Sequence, residues 1–336
     1  MPKYLFYPGC SLQRSARPYL DSINAIHSII GLDLEEIQDW NCCGATEYVA
    51  IHHLAAFALV GRNLALAAQQ VDGTHTVMAA CSACYLNLAK TDSYMQTDTK
   101  LAENVNEALA AGGLHYTPGT VRVRHLLDII VNDIGLDAIK ARVVRPLHGL
   151  RVAPYYGCMI ARPDRSNRWD NVEHPMAMDR LIKALGAEVI DFPMKTHCCG
   201  GHMTQINIPV AFELIRRLIH GADQYRADVI VTLCPMCQLN LDAYQTDVNH
   251  YFHTDYHLPV LYFTQLMGLA FGLAPETLGL GKEFIDSRPA LSRIGVELPP
   301  AEAAASPPGP AKPARKPKAP EGLPMPKMPN HQEEQS

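Results

Sequence analysis

The stretch "NCCGATEYVA", residues 41–50, places two cysteines side by side and follows them at once with a glycine. A disulfide between adjacent cysteines is strained, because the bridge needs Cα atoms farther apart than one peptide link allows. The same Cys-Cys-Gly sequence returns at residues 198–200, within "KTHCCGGHMT" at 195–204. The two adjacent cysteines therefore predict a role for their thiols other than a disulfide. Because the sequence recurs, the same role is expected at residues 198–200.

All ten cysteines follow one plan that the chain contains twice. The first half has the spacing C-x31-CC-x37-CxxC, and the second has C-x39-CC-x34-CxxC. The flanks also agree, since "YLFYPGC" at 4–10 matches "VAPYYGC" at 152–158, and "ACSACYLNL" at 80–88 matches "LCPMCQLNL" at 233–241. We therefore predict an internal repeat of about 150 residues, with a first half at residues 1–147 and a second half at 148–290.

Short apolar runs that alternate with longer helical patterns indicate the fold class. The apolar runs predict buried parallel strands at 4–8, 76–80, 152–156, 188–192 and 228–233. The three-to-four spacing of apolar residues predicts helices at 18–30, 47–70, 175–185 and 208–220. Such alternation predicts an α/β protein with parallel sheets. The cysteine clusters then fall at the carboxyl ends of strands, where such sheets bind their ligands.

The end of the chain has a different composition. Eleven of the 38 residues at 299–336 are proline, and alanine and lysine fill much of the rest. Such a segment cannot bury enough apolar surface to fold. We predict a disordered Pro/Ala/Lys-rich tail over residues 291–336.

Composition excludes several classes of protein. Hydrophobic residues make up 48 % of the chain and the formal charge is −5, which argues against a nucleic-acid-binding protein. Polar residues such as His52, Arg62 and Gln265 interrupt the apolar stretches, so we expect no membrane span. We also expect no signal peptide and a cytoplasmic location. In a reducing compartment, cysteines are more often metal ligands or redox groups than disulfides.

Three kinds of site could use these thiols. A structural zinc ion takes four ligands and would leave one thiol of each half unused, although zinc in one half stays possible. A thioredoxin-like site would use only Cys81 and Cys84. An iron–sulfur cluster commonly takes four cysteines, so a fifth suggests an enlarged or open cluster in which one sulfur bridges irons. Gly44 and Gly200 would let the backbone approach such a group.

The arrangement C…CCG…CxxC, filled twice, resembles the signature of the CCG-domain family, and residues 3–275 resemble the catalytic B subunits of heterodisulfide reductases. The resemblance implies two pseudo-twofold related Rossmann-like halves, each holding a noncubane [4Fe–4S] cluster on five cysteines. It assigns one cluster to Cys10, Cys42, Cys43, Cys81 and Cys84, and the other to Cys158, Cys198, Cys199, Cys234 and Cys237.

The chemistry of a disulfide suits a pair of clusters. Its reduction to two thiols takes two electrons, so two facing clusters could each capture one sulfur and supply one electron. The resemblance implies the same homolytic cleavage, of a disulfide of the CoM-S-S-CoB type. The sequence has no nucleotide-binding motif and no C-x2-C-x2-C-x3-C run of ferredoxins, so electrons must come from other proteins. The resemblance implies a ferredoxin-like C subunit with cubane clusters and a flavin-containing A subunit.

Other interpretations stay open. Related CCG proteins resemble electron-relay or thiol-handling subunits of sulfur-oxidising and quinone-linked dehydrogenase complexes, where the substrate would include a protein-bound thiol. A noncatalytic assembly subunit is a third possibility. His197 and His202 flank the second doublet and are candidates for proton delivery to product thiolates, or else packing residues. His52 and His53 are more typical of a helix face than of metal ligands.

Overall fold

Two four-stranded parallel sheets, one in each half, organise the chain. A computed structural model describes residues 3–45, 48–71, 75–161 and 169–298. The strands of the first sheet are β1 (Lys3–Tyr7), β2 (Asp33–Glu36), β3 (Thr76–Ala79) and β4 (Arg122–His125), and those of the second are β5 (Arg151–Tyr155), β6 (Glu188–Val189), β7 (Val229–Thr232) and β8 (Val260–Tyr262).

Both sheets have the same strand order. The first is β2-β1-β3-β4 and the second is β6-β5-β7-β8, with every neighbouring pair parallel. Their centres are fully buried, with Leu5 opposite Val77 in one and Val152 opposite Val229 in the other. In this order the connections leave β1 and β3 in opposite directions, which opens a crevice at the carboxyl ends of these two strands. The predicted α/β fold with two Rossmann-like halves is confirmed.

Helices connect the strands and cover both sheets. Those of the first half are α1 (Gly9–Gln13), α2 (Arg17–Ile26), α3 (Tyr48–Ile51), α4 (His53–Gln69), α5 (Ser82–Thr97), α6 (Thr99–Ala110), α7 (Leu126–Ile129), a π-helical turn (Ile130–Gly135) and α8 (Leu136–Lys140). Those of the second half are α9 (Cys158–Ala161), α10 (Ala177–Ala184), α11 (Met203–Ile206), α12 (Ile208–Gln224), α13 (Pro235–Ala243), α14 (Gln245–Phe252), α15 (Phe263–Ala270), a 3₁₀ turn (Pro275–Leu278) and α16 (Arg288–Ser292).

Two of the predicted elements differ from the structure. The strand expected at 188–192 pairs only over Glu188–Val189, because the chain turns after Ile190, whose amide still donates to the Val152 carbonyl at 3.0 Å. The helix expected at 47–70 is two helices within its described part. His52 takes an extended conformation between them, and its side chain accepts a hydrogen bond from the Ala55 amide as the N-cap of α4.

A shared core joins the two halves. Helix α2 of the first half packs on α15 of the second, and α10 of the second half packs on α7 of the first. Tyr19 stacks on Tyr262 with ring centroids 4.2 Å apart, and the Ser22 and Thr264 hydroxyls hydrogen bond at 2.6 Å. All four residues are buried. The halves therefore form one compact body, and the boundary at residues 147/148 stays a prediction.

The packed body continues past the predicted start of the tail at residue 291. Leu291 is fully buried and Val296 is 3 % exposed, so residues 291–298 belong to the body rather than to the tail. The prediction placed the boundary too early, because the proline-rich composition that argues for a tail begins only at residue 299, and four of the eight residues at 291–298 are apolar. Residues 299–336, where most of the predicted tail falls, lie outside the described residues. Along the described parts of the chain, no helix combines the length and the apolar character needed to cross a membrane.

Candidate metal centre

Every cysteine lies just beyond the carboxyl end of a strand. In the first half, Cys10 follows β1, the doublet at 42–43 follows β2, and the CxxC motif at 81–84 follows β3. The second half repeats this arrangement after β5, β6 and β7. Because parallel strands end at one edge of a sheet, the five thiols of each half meet around the crevice between its two central strands. The predicted placement of the cysteine clusters at the carboxyl ends of strands is confirmed, although β2, the strand before the first doublet, is not among the predicted strands.

The five thiols of the first half form a continuous chain of contacts. The Sγ atoms of Cys10 and Cys42 are 3.5 Å apart, as are those of Cys43 and Cys84. Cys42 is also close enough to Cys43, and Cys84 to Cys81, to shift the pKa of that neighbour. The adjacent cysteines therefore turn their sulfurs to different neighbours, and each extends the chain in its own direction.

The second half repeats the chain of contacts. The Sγ atoms of Cys199 and Cys237 are 3.6 Å apart. Cys198 is close enough to Cys158 and to Cys199, and Cys234 to Cys237, to raise the pKa of that neighbour. Each contact has its counterpart at the same position of the repeat in the first half. The two five-thiol arrays are thus equivalent in arrangement as well as in spacing.

The two arrays meet where the halves join. Cys81 and Cys234 lie close enough across this junction for each thiol to shift the pKa of the other. No three histidine, cysteine, aspartate or glutamate side chains of the described ranges surround a point that suits a single metal ion. Five thiols in each half exceed the four ligands of a tetrahedral zinc site, so they fit a polynuclear group in each half better.

Burial and hydrogen bonding divide the thiols into an open and a closed group. Cys10 is exposed and Cys42, Cys158 and Cys198 are half-buried, whereas the other six thiols are at most 6 % exposed. Hydrogen bonds from Cys42 and Cys84 lower the pKa of Cys43. Those from Cys237 and Cys81 lower the pKa of Cys234 in the same way.

A glycine before the first cysteine of each half lets the strand end approach the CxxC motif. Gly9 and Gly157 have φ values of +71° and +69°. A Cβ atom on Gly9 would lie 2.9 Å from the Cys84 Sγ, and one on Gly157 would lie 2.9 Å from the Cys237 Sγ. Both positions therefore require glycine for its conformation and for its lack of a side chain.

We expect Gly9→Ala to displace Cys84 and to remove metal from the first half only, so that the chain loses about half of its bound metal. The matched control is Gly113→Ala, because Gly113 has a φ of +69° and nothing within 4 Å of its added Cβ. Both variants carry about 1–2 kcal/mol of backbone strain. Metal analysis on the two proteins separates strain from displacement, and equal metal content in both would contradict the role given to Gly9.

An asparagine holds the doublet loop in each half. The Asn87 amide donates to the carbonyls of Cys43, at 3.1 Å, and of Ala45. Asn240 donates to the Cys199 and Gly201 carbonyls at 3.1 and 2.8 Å. Our sequence reasoning missed both residues. The signal was present, because each asparagine stands three residues after the second cysteine of its CxxC motif.

A buried tyrosine fixes the same loops from the strand side. The Tyr7 hydroxyl donates to the Asn41 carbonyl at 2.7 Å, and the Tyr155 hydroxyl donates to the His197 carbonyl at 2.7 Å. Burial, followed by the charge of the neighbouring cysteines, raises the pKa of both phenols, so both stay protonated donors. The loop before each doublet is therefore anchored from β1 or β5.

Buried polar atoms near the arrays lack partners among the described residues. They are Ser82 Oγ beside Cys81, Thr232 Oγ1 before Cys234, His125 Nε2 and Asn240 Oδ1. Burial lowers the pKa of His125 to about 4, and its Nδ1 accepts from the Leu127 amide, so Nε2 carries the proton. Hydroxyl and imidazole donors beside thiolates suit an anionic, sulfide-containing group, and the residues present therefore fit an iron–sulfur cluster in each half.

The histidines named from the sequence have different surroundings. His197 is exposed and lines a solvent-facing pocket with Cys198 and Arg217, while His202 is half-buried just before α11. Their role in proton delivery stays a prediction. His52 caps α4, and the His53 ring packs on Phe57 with centroids 4.6 Å apart. These last two are helix residues, as predicted.

Comparison with known families agrees with the repeat. The family model described as "Cysteine-rich domain" (CCG) matches residues 4–89 and again residues 152–242. The two matches cover the first three strands of each sheet and all ten cysteines. The internal repeat predicted from the cysteine spacing is thus a duplicated domain of this family.

Curated relatives align over most of their length. The 8-methylmenaquinol:fumarate reductase membrane anchor subunit of Wolinella succinogenes is 34 % identical over 85 % of this chain and 98 % of that protein. The B subunit of the ferredoxin/F420H2-dependent CoB-CoM heterodisulfide reductase of Methanosarcina acetivorans is 30 % identical over 88 % and 97 %, respectively. A protein of Archaeoglobus profundus, described as like the B subunits of heterodisulfide reductases, is 28 % identical over 82 % and 93 %.

One solved structure shares the fold. The crystal structure of a hypothetical protein from Helicobacter pylori superposes with a TM-score of 0.66 at 13 % sequence identity. The match covers 84 % of this chain and 52 % of that chain, so this chain spans about half of the solved protein. At this identity the likeness concerns the fold alone.

Proposed function

This chain belongs to the CCG cysteine-rich domain family, which includes B subunits of heterodisulfide reductases, and we propose that it is the catalytic iron–sulfur subunit of a disulfide reductase complex. The reaction is R–S–S–R′ + 2 e⁻ + 2 H⁺ → RSH + R′SH, with a heterodisulfide of the CoM-S-S-CoB type as substrate. The observation that carries the proposal is the set of five thiols at the carboxyl edge of each sheet, with Sγ atoms 3.5 Å apart in the first half and 3.6 Å apart in the second.

Two noncubane [4Fe–4S] clusters are the proposed cofactors. One is held by Cys10, Cys42, Cys43, Cys81 and Cys84, and the other by Cys158, Cys198, Cys199, Cys234 and Cys237. When bound, such clusters supply single electrons and iron that binds sulfur, which is what homolytic cleavage of a disulfide between them requires. A zinc ion in one half is the alternative cofactor.

The residues of this chain position and open the site. The exposure of Cys10 and the partial exposure of Cys42, Cys158 and Cys198 place the open side of each array toward solvent. The deeply buried Cys81 and Cys234 lie on the closed side, where the halves join. A substrate therefore approaches from the open side. The exposed His197, beside Cys198, delivers a proton to a product thiolate there.

Electrons come from partner proteins in this proposal. The relatives named above are subunits of multisubunit oxidoreductases, and the ten cysteines are all used by the two arrays. A ferredoxin-like C subunit with cubane clusters and a flavin-containing A subunit are the proposed partners, in a cytoplasmic complex.

A second candidate function is electron relay in a quinone-linked dehydrogenase complex. The observation that favours it is the 34 % identity to a subunit of an 8-methylmenaquinol:fumarate reductase, which extends over 98 % of that protein. The same two arrays would then carry electrons between a quinone and a partner without capturing a substrate sulfur. A thiol-handling subunit of a sulfur-oxidising complex belongs to the same alternative.

One anaerobic assay distinguishes a disulfide reductase from an electron relay. The full chain, reconstituted with iron and sulfide, is reduced with a low-potential dye and mixed with CoM-S-S-CoB, and free thiols are counted. We expect two thiols to form for every two electrons consumed. If the reduced protein yields no thiol but transfers its electrons to 2,3-dimethyl-1,4-naphthoquinone, the reductase proposal fails and the relay takes its place.

A further inference from the structure

His125 places a histidine ring of the first half where the two CxxC motifs meet. It is the last residue of β4, and its side chain is fully buried. The ring packs edge-on against Tyr85, with centroids 5.9 Å apart. Burial lowers the pKa of this ring, and the carbonyls of Ala80 and Leu233 and the thiol of Cys234 lie close enough to raise it in part. The ring therefore faces residues of both halves.

A single hydroxyl shows how closely the halves approach at this place. The Tyr19 hydroxyl lies 3.1 Å from the Ala80 carbonyl oxygen and 3.5 Å from the Leu233 carbonyl oxygen. These two residues immediately precede Cys81 and Cys234. A side chain that belongs to one half can therefore reach the group held by the other half.

The two ring nitrogens of His125 have different surroundings. Nδ1 accepts a hydrogen bond from the Leu127 amide at 3.1 Å and so caps α7. Because Nδ1 accepts, the proton of the neutral ring is on Nε2. Nε2 is buried and has no acceptor in the part of the chain that the structure describes. A buried donor of this kind costs stability unless a bound group accepts from it.

The second half has no equivalent donor at the corresponding position. Tyr262, the last residue of β8, stands where His125 stands in the repeat. Its ring stacks on Tyr19, and its hydroxyl lies 3.5 Å from the Gln238 Oε1 atom. Tyr262 thus has a partner within the protein for its polar atom, whereas the Nε2–H group of His125 is left for something else.

We propose that His125, a residue of the first half, raises the reduction potential of the cluster held by the second half. Its Nε2–H group donates to a sulfur on the Cys234 side of the junction. A hydrogen bond to such a sulfur stabilises the reduced, more negative state, which makes reduction easier. This inference rests on the proposed iron–sulfur cofactors, but it does not depend on a disulfide being the substrate.

The experiment is a potentiometric titration of the anaerobic, reconstituted full chain, followed by electron paramagnetic resonance. A Cys43→Ser background isolates the second cluster, and a Cys199→Ser background isolates the first. His125→Asn keeps an acceptor for the Leu127 amide but removes the Nε2 donor. We expect it to make the second cluster about tenfold harder to reduce, a fall of about 59 mV for a one-electron couple. The potential of the first cluster should not change.

His125→Gln is the matched variant, because it exchanges the roles of the two nitrogens. Glutamine can place an amide N–H where Nε2 lies, but it gives up the cap of α7. We therefore expect a potential close to that of the wild type together with a lower denaturant midpoint. As a further control, Tyr262→Phe should leave both potentials unchanged, since its hydroxyl already has an acceptor.

Iron and acid-labile sulfide are measured on every sample, including the wild type. A wild-type chain that takes up no cluster in its second half would overturn both the proposed cofactors and this inference. With the clusters present, this inference alone is overturned by any of three results. These are an unchanged potential in His125→Asn, the same shift in both clusters, or a shift in His125→Gln as large as that in His125→Asn.

Discussion

Replacing Cys43 by serine is expected to remove the iron of the first half, to leave the iron of the second half in place, and to abolish nearly all disulfide reduction. Cys43 joins the doublet to the CxxC motif, with its Sγ 3.5 Å from that of Cys84. Serine keeps the size of the side chain, but its oxygen is a harder and far less acidic ligand, so iron is held weakly. Because the proposed cleavage needs a cluster in each half, we expect turnover to fall by roughly a hundredfold rather than by half.

The corresponding substitution in the second half tests the same prediction there. Cys199→Ser occupies the same position of the repeat and should remove the iron of the second half with the same loss of turnover. An electron relay with independent sites predicts partial activity in both variants. Full iron together with full activity in Cys43→Ser would falsify the assignment of the doublet as ligands.

Tyr19→Ala is expected to lower the free energy of unfolding by about 3–5 kcal/mol, the range for deleting a buried aromatic ring. Tyr19 is fully buried, stacks on Tyr262 across the junction, and donates to the Ala80 carbonyl at 3.1 Å, just before Cys81. Tyr19→Phe keeps the ring and loses one hydrogen bond, so it should cost only about 1 kcal/mol. Denaturant titrations of the anaerobic protein measure both values.

The control for this series is Tyr225→Ala, since the Tyr225 side chain is 45 % exposed. We expect it to change stability by no more than about 0.5 kcal/mol. A Tyr19→Ala protein as stable as this control would mean that the halves do not depend on the stacked pair for their association, and the shared core would need another explanation.

The repeat and the placement of the cysteines could be predicted from the sequence because spacing carries both. Strands with continuous apolar runs, such as β1 and β7, are visible for the same reason. Strand β2 could not be predicted, since its sequence is Asp-Leu-Glu-Glu and it lies at a sheet edge with one neighbour. Its pairing with β1 is a tertiary effect, and local propensity opposes it.

The residues that support the thiols could be predicted from the sequence only in part. The asparagines at 87 and 240 are identical in both halves, so a comparison of the repeats would have identified them. Their hydrogen bonds to the doublet loops could not be predicted, because those loops are about 40 residues away in sequence. The proximity of Cys81 to Cys234 also depends on how the two sheets meet, which the spacing within one half does not encode.

Differences between the halves carry information that the cysteine pattern hides. The pattern treats the halves as equals, and the thiol contacts agree with that. One difference lies at Thr91, whose counterpart in the second half is Tyr244, with its ring 6.3 Å from that of Phe212. A single substitution in a helix gives no signal of its own in the sequence.

The most direct test of the central claim is the amount of iron and acid-labile sulfide per chain in the anaerobically reconstituted protein. Two complete five-cysteine arrays predict about eight irons and about eight sulfides per chain. Protein concentration from amino-acid analysis and metals from mass spectrometry on one sample give this ratio. About four irons with one zinc would contradict the paired-cluster account, although the duplicated α/β fold would stand.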